Sequence, residues 1–127
     1  MVAMMSDKPV TERLQIKNGR TLAVLNAPQD MEVEVALAAA VRADLGHADV
    51  VLLFVAGRTQ LDADLTTQLA QLKPGAILWV AYPKLTSGLA GDLSRDVIRT
   101  AVPLYGLNTV SQIAINHDWS ALRLKRV

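Results

Sequence analysis

Two cations stand just beyond long apolar runs. Arg58 follows Val50-Val51-Leu52-Leu53-Phe54-Val55 by way of Ala56-Gly57, and Lys84 follows Ala76-Ile77-Leu78-Trp79-Val80-Ala81-Tyr82 by way of Pro83. A third run, Leu22-Ala23-Val24-Leu25, leads into Asn26-Ala27-Pro28. If these runs are parallel strands, their C-terminal ends share one rim, the place where open α/β sheets bind ligands. The candidate ligand-binding residues on that rim are Asn26, Pro28, Arg58, Tyr82 and Lys84. Cations near helix N-termini suit a phosphate or a carboxylate. The stretch Leu85-Thr86-Ser87-Gly88-Leu89-Ala90-Gly91 could fold over such a ligand. The competing expectation is that Arg58 and Lys84 are solvated loop residues, or pair with Asp30, Asp62 or Asp92.

Catalytic and metal-binding patterns are weaker. His117, Asp118 and Ser120 share one short turn, and residues so close rarely give a base oriented by one partner and aimed at another. No nucleophile elbow of the form Gly-x-Ser-x-Gly occurs. The simpler expectation is that Asn116 and Asp118 shape a turn while Trp119 packs. The chain has 2 histidines, His47 and His117, and neither sits in a ligand cluster, so no metal site is expected. With no cysteine, thiolate chemistry and disulfides are excluded. An enzyme of unrecognised type would draw on Lys84 with Asp30 or Asp118.

The elements that must position these residues follow from periodicity. Each of the three runs is short, unbroken and followed by Pro or Gly, as expected of central parallel strands buried on both faces. After the first run, Asp30 suits an N-cap, with Glu32 and Glu34 in the first helical turn. Val33, Leu37, Val41 and Leu45 then fall four apart, which predicts a helix closed by Gly46. After the second run, Thr59 with Asp62 resembles a capping box, and Leu61, Leu65, Leu69 and Leu72 form one stripe stopped by Lys73-Pro74-Gly75. A third helix is expected from near Asp92 or Ser94, burying Val97, Ile98, Ala101 and Val102, shortened by Pro103 and ended by Gly106. Thr109 to Ile115 and Ala121 to Val127 read as an antiparallel hairpin. Thr11 to Ile16 reads as a short helix closed by Asn18-Gly19, and residues 1–10 as a loose tail before a single domain over 11–127. The alternation of strand and helix makes this an α/β fold, with helices on both faces of the sheet.

Composition narrows the function classes. Thirteen Lys and Arg against 12 Asp and Glu leave a net charge of +1, which does not suit a dedicated nucleic-acid binder. Arg95, Arg99, Arg123, Lys125 and Arg126 nonetheless make the C-terminal part basic, as a solvated face or a contact for an acidic partner. The chain is 51% hydrophobic, and its mean hydropathy is +0.26. Doubly buried strands account for part of that excess, and a homodimer surface for the rest. The longest apolar stretches, of about seven residues, are too short for a bilayer. Residues 1–9 lack the pattern of a signal peptide, so a cytoplasmic location is expected.

The segment Leu72-Lys73-Pro74-Gly75-Ala76-Ile77-Leu78-Trp79-Val80 resembles the turn and strand that follow a helix in class I methyltransferases. The closing hairpin is similar to the antiparallel pair that ends their sheet. That resemblance implies a Rossmann-like three-layer domain with a mostly parallel five-stranded sheet of order 1-2-3-5-4. More specifically, the chain resembles a family of small bacterial proteins, the domain of unknown function 3052. The pieces that carry this are Leu25-Asn26-Ala27-Pro28, Leu53-Phe54-Val55, Trp79-Val80-Ala81-Tyr82-Pro83-Lys84 and Asp118-Trp119-Ser120-Ala121-Leu122-Arg123, spanning the chain from about Leu14. Methyltransferases usually end their first strand in an acidic residue and a Gly-rich loop that lets the cofactor approach the backbone. Here the place reads Asn26-Ala27-Pro28-Gln29-Asp30, without glycine, and the segment for their second strand is missing. S-adenosylmethionine is therefore disfavoured, and no cofactor is expected. The resulting expectation is a non-catalytic binding or regulatory module for a small anionic ligand or a protein partner. The alternatives are a degenerate methyltransferase-like enzyme and a structural, self-associating protein.

Overall fold

The computed structural model describes residues 8–127. Of the expected tail, residues 1–7 lie outside the described part, and Val10 already opens a helix. Three parallel strands, β1 (Leu22–Leu25), β2 (Val50–Phe54) and β3 (Ile77–Pro83), lie side by side in one sheet. The hairpin of β4 (Leu107–Ala114) and β5 (Trp119–Arg126) completes it, β5 running antiparallel to β3. The order is β1-β2-β3-β5-β4, as the sequence pattern predicts.

Every residue of β2 is buried, which explains its unbroken apolarity. Side chains leave the strands alternately. Val51, Leu53, Val80 and Leu122 pack with helices α3 (Arg58–Gln68) and α4 (Arg95–Ala101) on one face. Leu52, Phe54, Trp79 and Ala121 pack on the other with helix α2 (Met31–Leu37) and with Leu14, which follows helix α1 (Val10–Arg13). Trp79 is core, and its indole N–H donates to the Leu14 carbonyl at 3.0 Å, tying α1 to the central strand.

Helix ends depart from the sequence pattern in three places. The first helix spans only Val10–Arg13, though Asn18 and Gly19 do take left-handed backbone after it. Helix α2 stops at Leu37 rather than running on to Gly46. Beyond it the chain lies along β1: Leu22 N–H donates to the Val41 carbonyl (2.8 Å) and Ala43 N–H to the Leu22 carbonyl (3.0 Å), making a parallel bridge between Leu22 and Arg42. Main-chain bonds to a sheet edge here replace further helical turns, and Val41 points to solvent, 68% exposed. Thr59 does not cap α3. The helix begins at Arg58 with Gly57 as N-cap, so Thr59 already lies inside the first turn. Its stripe holds as expected at Leu61 and Leu65, while Leu69 lies in a short 3-10 turn (Leu69–Gln71).

Helix α4 is capped by Ser94, whose hydroxyl accepts from Val97 N–H at 3.2 Å. It tightens into a 3-10 turn (Val102–Tyr105) containing Pro103 and ends at Gly106, with φ +74°. Strand β4 has a register shift between Thr109 and Ser111, and the Arg13 guanidinium donates to its Ala114 carbonyl at 2.9 Å. Among the described residues no helix is long and apolar enough to cross a membrane.

Candidate functional site

The C-terminal ends of β1, β2 and β3 form the expected rim, joined there by the β4–β5 turn. Asn26 leaves β1 in left-handed backbone (φ +58°). Its amide donates to the Phe54 carbonyl (3.3 Å) and to the Asp64 carboxylate (2.9 Å). The Pro28 carbonyl accepts from Asp30 N–H at 3.0 Å. One Asp30 oxygen accepts from Glu32 N–H (2.9 Å) and Val33 N–H (3.3 Å), capping α2, while the other accepts from the Asn116 amide (3.3 Å).

The start of α3 is also closed by the chain itself. The Asp92 carboxylate accepts from Arg58 N–H at 2.8 Å, and the Gln60 side chain accepts from Ala56 N–H at 2.8 Å. Gly57 allows this approach, because a Cβ there would lie 3.1 Å from the Asp92 oxygen. The Arg58 guanidinium runs along the helix to Asp62 (2.9 Å), which also accepts from the Tyr105 hydroxyl at 2.7 Å. These two donors, Tyr105 first and Arg58 second, hold the Asp62 carboxyl below its ordinary range, and the same bond raises the Tyr105 phenol.

Tyr82 is buried beneath the rim, and its hydroxyl accepts from the Gln112 amide at 3.2 Å. Burial raises its phenol, with the Arg95 charge opposing. Lys84 is held by its main chain, which donates to the Asp118 carbonyl at 2.8 Å. Its ammonium makes no ion pair among the described residues. The Leu85–Gly91 stretch is pinned by Ser87, whose hydroxyl donates to Asp118 at 2.7 Å and accepts from Leu89 N–H at 3.0 Å. His117 lies exposed between Glu32 and Asp118, 3.3 Å from each, and Ser120 is buried in β5. Ser87 therefore contacts Asp118 directly, without the histidine between them that nucleophile activation needs. Asn116 shapes the turn by accepting from Asp118 N–H and Trp119 N–H, both at 2.9 Å. Trp119 packs edge-on against Phe54, with ring centroids 5.1 Å apart. Among the described residues no His, Asp and Glu side chains are grouped to hold a metal ion.

The rim thus gathers Asp30, Asp64, Asp92 and Asp118, and the two helix N-termini that attract anions already hold carboxylates. Among the described residues Arg58 and Lys84 share no bonding partner.

A groove of about 640 Å³ opens at the opposite end of the sheet. It lies where β3 and β5 part. Their last paired residues are Leu78 and Leu124, after which β5 continues only against β4. Leu69, Leu72, Leu78, Leu107 and Leu124 line it, together with the Lys73–Ala76 turn and the C-terminal part of β5. Its charged lining residues are Lys73, Arg123, Lys125 and Arg126. Nothing in the spacing along the chain points to this groove. It depends on the antiparallel register that brings Leu124 beside Leu78, and Lys73-Pro74-Gly75 reads in sequence merely as a helix stop.

Among curated proteins none matches this chain. Solved structures do. The mitomycin 7-O-methyltransferase MmcR is similar over 85% of this chain and 42% of its own, at 13% identity and a TM-score of 0.53. LepI in complex with SAM is similar over 93% of this chain and 39% of its own, at 9% identity and a TM-score of 0.51. The chain spans about two-fifths of the length of either, and at such identity the likeness is one of fold: a Rossmann-like, methyltransferase-type layout. A family model matches residues 11–127, so the chain belongs to the family described as "Protein of unknown function (DUF3052)".

Proposed function

We propose that this domain is a non-catalytic binding or regulatory module for a small anionic ligand or a protein partner, working in the cytoplasm without S-adenosylmethionine. The observation that carries the non-catalytic part of this reading, and the part without S-adenosylmethionine, is the self-closure of the strand-end rim. Asp30 and Asp92 take the N-termini of α2 and α3, and the Asn26 amide is spent on Phe54 and Asp64. The residues after β1 do not fit the methyl donor: the loop has no glycine for close backbone approach. Titration calorimetry with S-adenosylmethionine and S-adenosylhomocysteine tests it. No saturable heat is expected from either, and micromolar binding accompanied by methyl transfer to any acceptor would sink the reading. Exposed Met31, Val35 and Val41 around α2 support a homodimer. Sedimentation at two concentrations should then show a monomer–dimer shift, and a single monomeric species at both removes that part.

A further inference from the structure

We propose that the groove between β3 and β5 binds a small amphipathic anion, a carboxylate or phosphate ester attached to a compact apolar body. This rests on the binding-module reading above and moves the ligand away from the strand-end rim. Three observations meet here. The groove's volume of about 640 Å³ falls within the range of small-molecule sites, roughly 300–1,000 Å³. Its apolar lining is mostly leucine, with Pro74, Ala76 and Ile77 beside it, so it can hold a hydrocarbon body. Every charged residue that lines it is a cation, and no carboxylate stands among them.

Those cations are poorly compensated. Lys73 pairs with Asp49, but Arg126 reaches only a neutral acceptor, the Leu69 carbonyl, at 3.1 Å. Arg123 and Lys125 make no ion pair among the described residues, and the Arg123 Nε is buried without a hydrogen-bond partner. Arg126 shares the face of β5 that carries Leu122 and Leu124, while Arg123 and Lys125 alternate onto its other face and border the groove at the open end of the sheet. A separate apolar void of only about 10 Å³ shares Leu69, Leu72 and Leu78 with the groove, so the leucine floor is closely packed beneath the open volume. A nucleic acid would need an extended basic face instead of a concave leucine floor, and a free inorganic anion would gain nothing from that floor.

The test uses octanoate as the probe, with octan-1-ol supplying the apolar body alone and inorganic phosphate the charge alone. Amide resonances of the full chain are followed by heteronuclear NMR. Octanoate is expected to shift Gly75, Ala76, Leu107, Lys125 and Arg126 in a saturable way, with an affinity at least about tenfold above either control. Lys125→Ala with Arg126→Ala should weaken it about tenfold, while Arg58→Ala with Lys84→Ala leaves it unchanged. Saturable shifts confined to Asn26, Gly57 and Lys84 would overturn the groove but leave a binding module at the rim. Equal binding of octan-1-ol, no saturable shift with any probe, or binding only to anionic phosphatidylglycerol vesicles would each overturn it.

Discussion

Asp49 shows how a single side chain ties the far end of the sheet together. Its carboxylate accepts from the Lys73 ammonium, from Thr21 N–H at 2.9 Å and from the Thr21 hydroxyl at 3.2 Å. The Lys73 bond first, and then the Thr21 main chain, lowers its pKa from the ordinary 3.8 to about 2. A carboxyl depressed on folding contributes stability that is full above its unfolded value and is lost as pH falls through the folded one. Melting temperature should therefore fall between about pH 4 and pH 2, and Asp49→Asn should flatten that part of the profile. An unchanged slope in the variant would show that Asp49 is not responsible. At this scale the sequence was partly legible. Arg58 does pair with one of the acids named as its possible partners, Asp62, because the two stand i,i+4 on one helix. Asp92, also named there, meets the Arg58 main-chain N–H instead of the guanidinium, and the role of Asp64 was not legible, since its partner Asn26 lies far along the chain.

Among the elements, strands read more truly than helix ends. An unbroken apolar run has few ways to bury both faces, so β1, β2 and β3 fall where the pattern puts them. Helix termini depend on what else can bond the free main-chain groups. Val41 continues the apolar spacing of α2, yet its carbonyl serves the edge of β1 instead. At α3 the cap comes from Asp92, in the loop before α4, a tertiary contact that no local motif announces. Asp92→Ala should accordingly destabilise the fold by about 1 kcal/mol, the usual worth of an N-cap side chain. Chemical denaturation checks this, with Asp92→Asn expected to recover most of the loss. A loss confined to the double change of Asp92 and Gln60 would mean that the Gln60 bond to Ala56 is sufficient alone.

For the molecule as a whole, topology was the most legible property and the groove the least. Strand order follows from alternation and a closing hairpin, both visible along the chain. A concavity needs the register between strands distant in sequence, and Leu78 meets Leu124 only once the sheet exists. The same holds for the rim. Sequence spacing brings Arg58, Lys84 and Asn26 to one end of the sheet, but only the assembled structure shows that end furnished with the chain's own acids.

The Arg13 bond to Ala114 reaches further than one hydrogen bond. Strand β4 is the outermost strand on its side, eight residues long and without a charged side chain, Leu-Asn-Thr-Val-Ser-Gln-Ile-Ala. Such an edge invites another strand to add to it, and charge, the commonest deterrent, is missing here. Two devices stand in its place: the kink between Thr109 and Ser111, and the guanidinium that occupies the last carbonyl. Arg13→Ala should cost less than about 1 kcal/mol in the monomer, as exposed polar contacts do. It should nevertheless shorten the lag before light scattering rises on prolonged warming, with the product binding thioflavin. An unaltered lag would assign the protection to the kink alone. On this view the small first helix works as a stopper on an open ladder, a guard against runaway assembly carried by a segment that contributes little to the core.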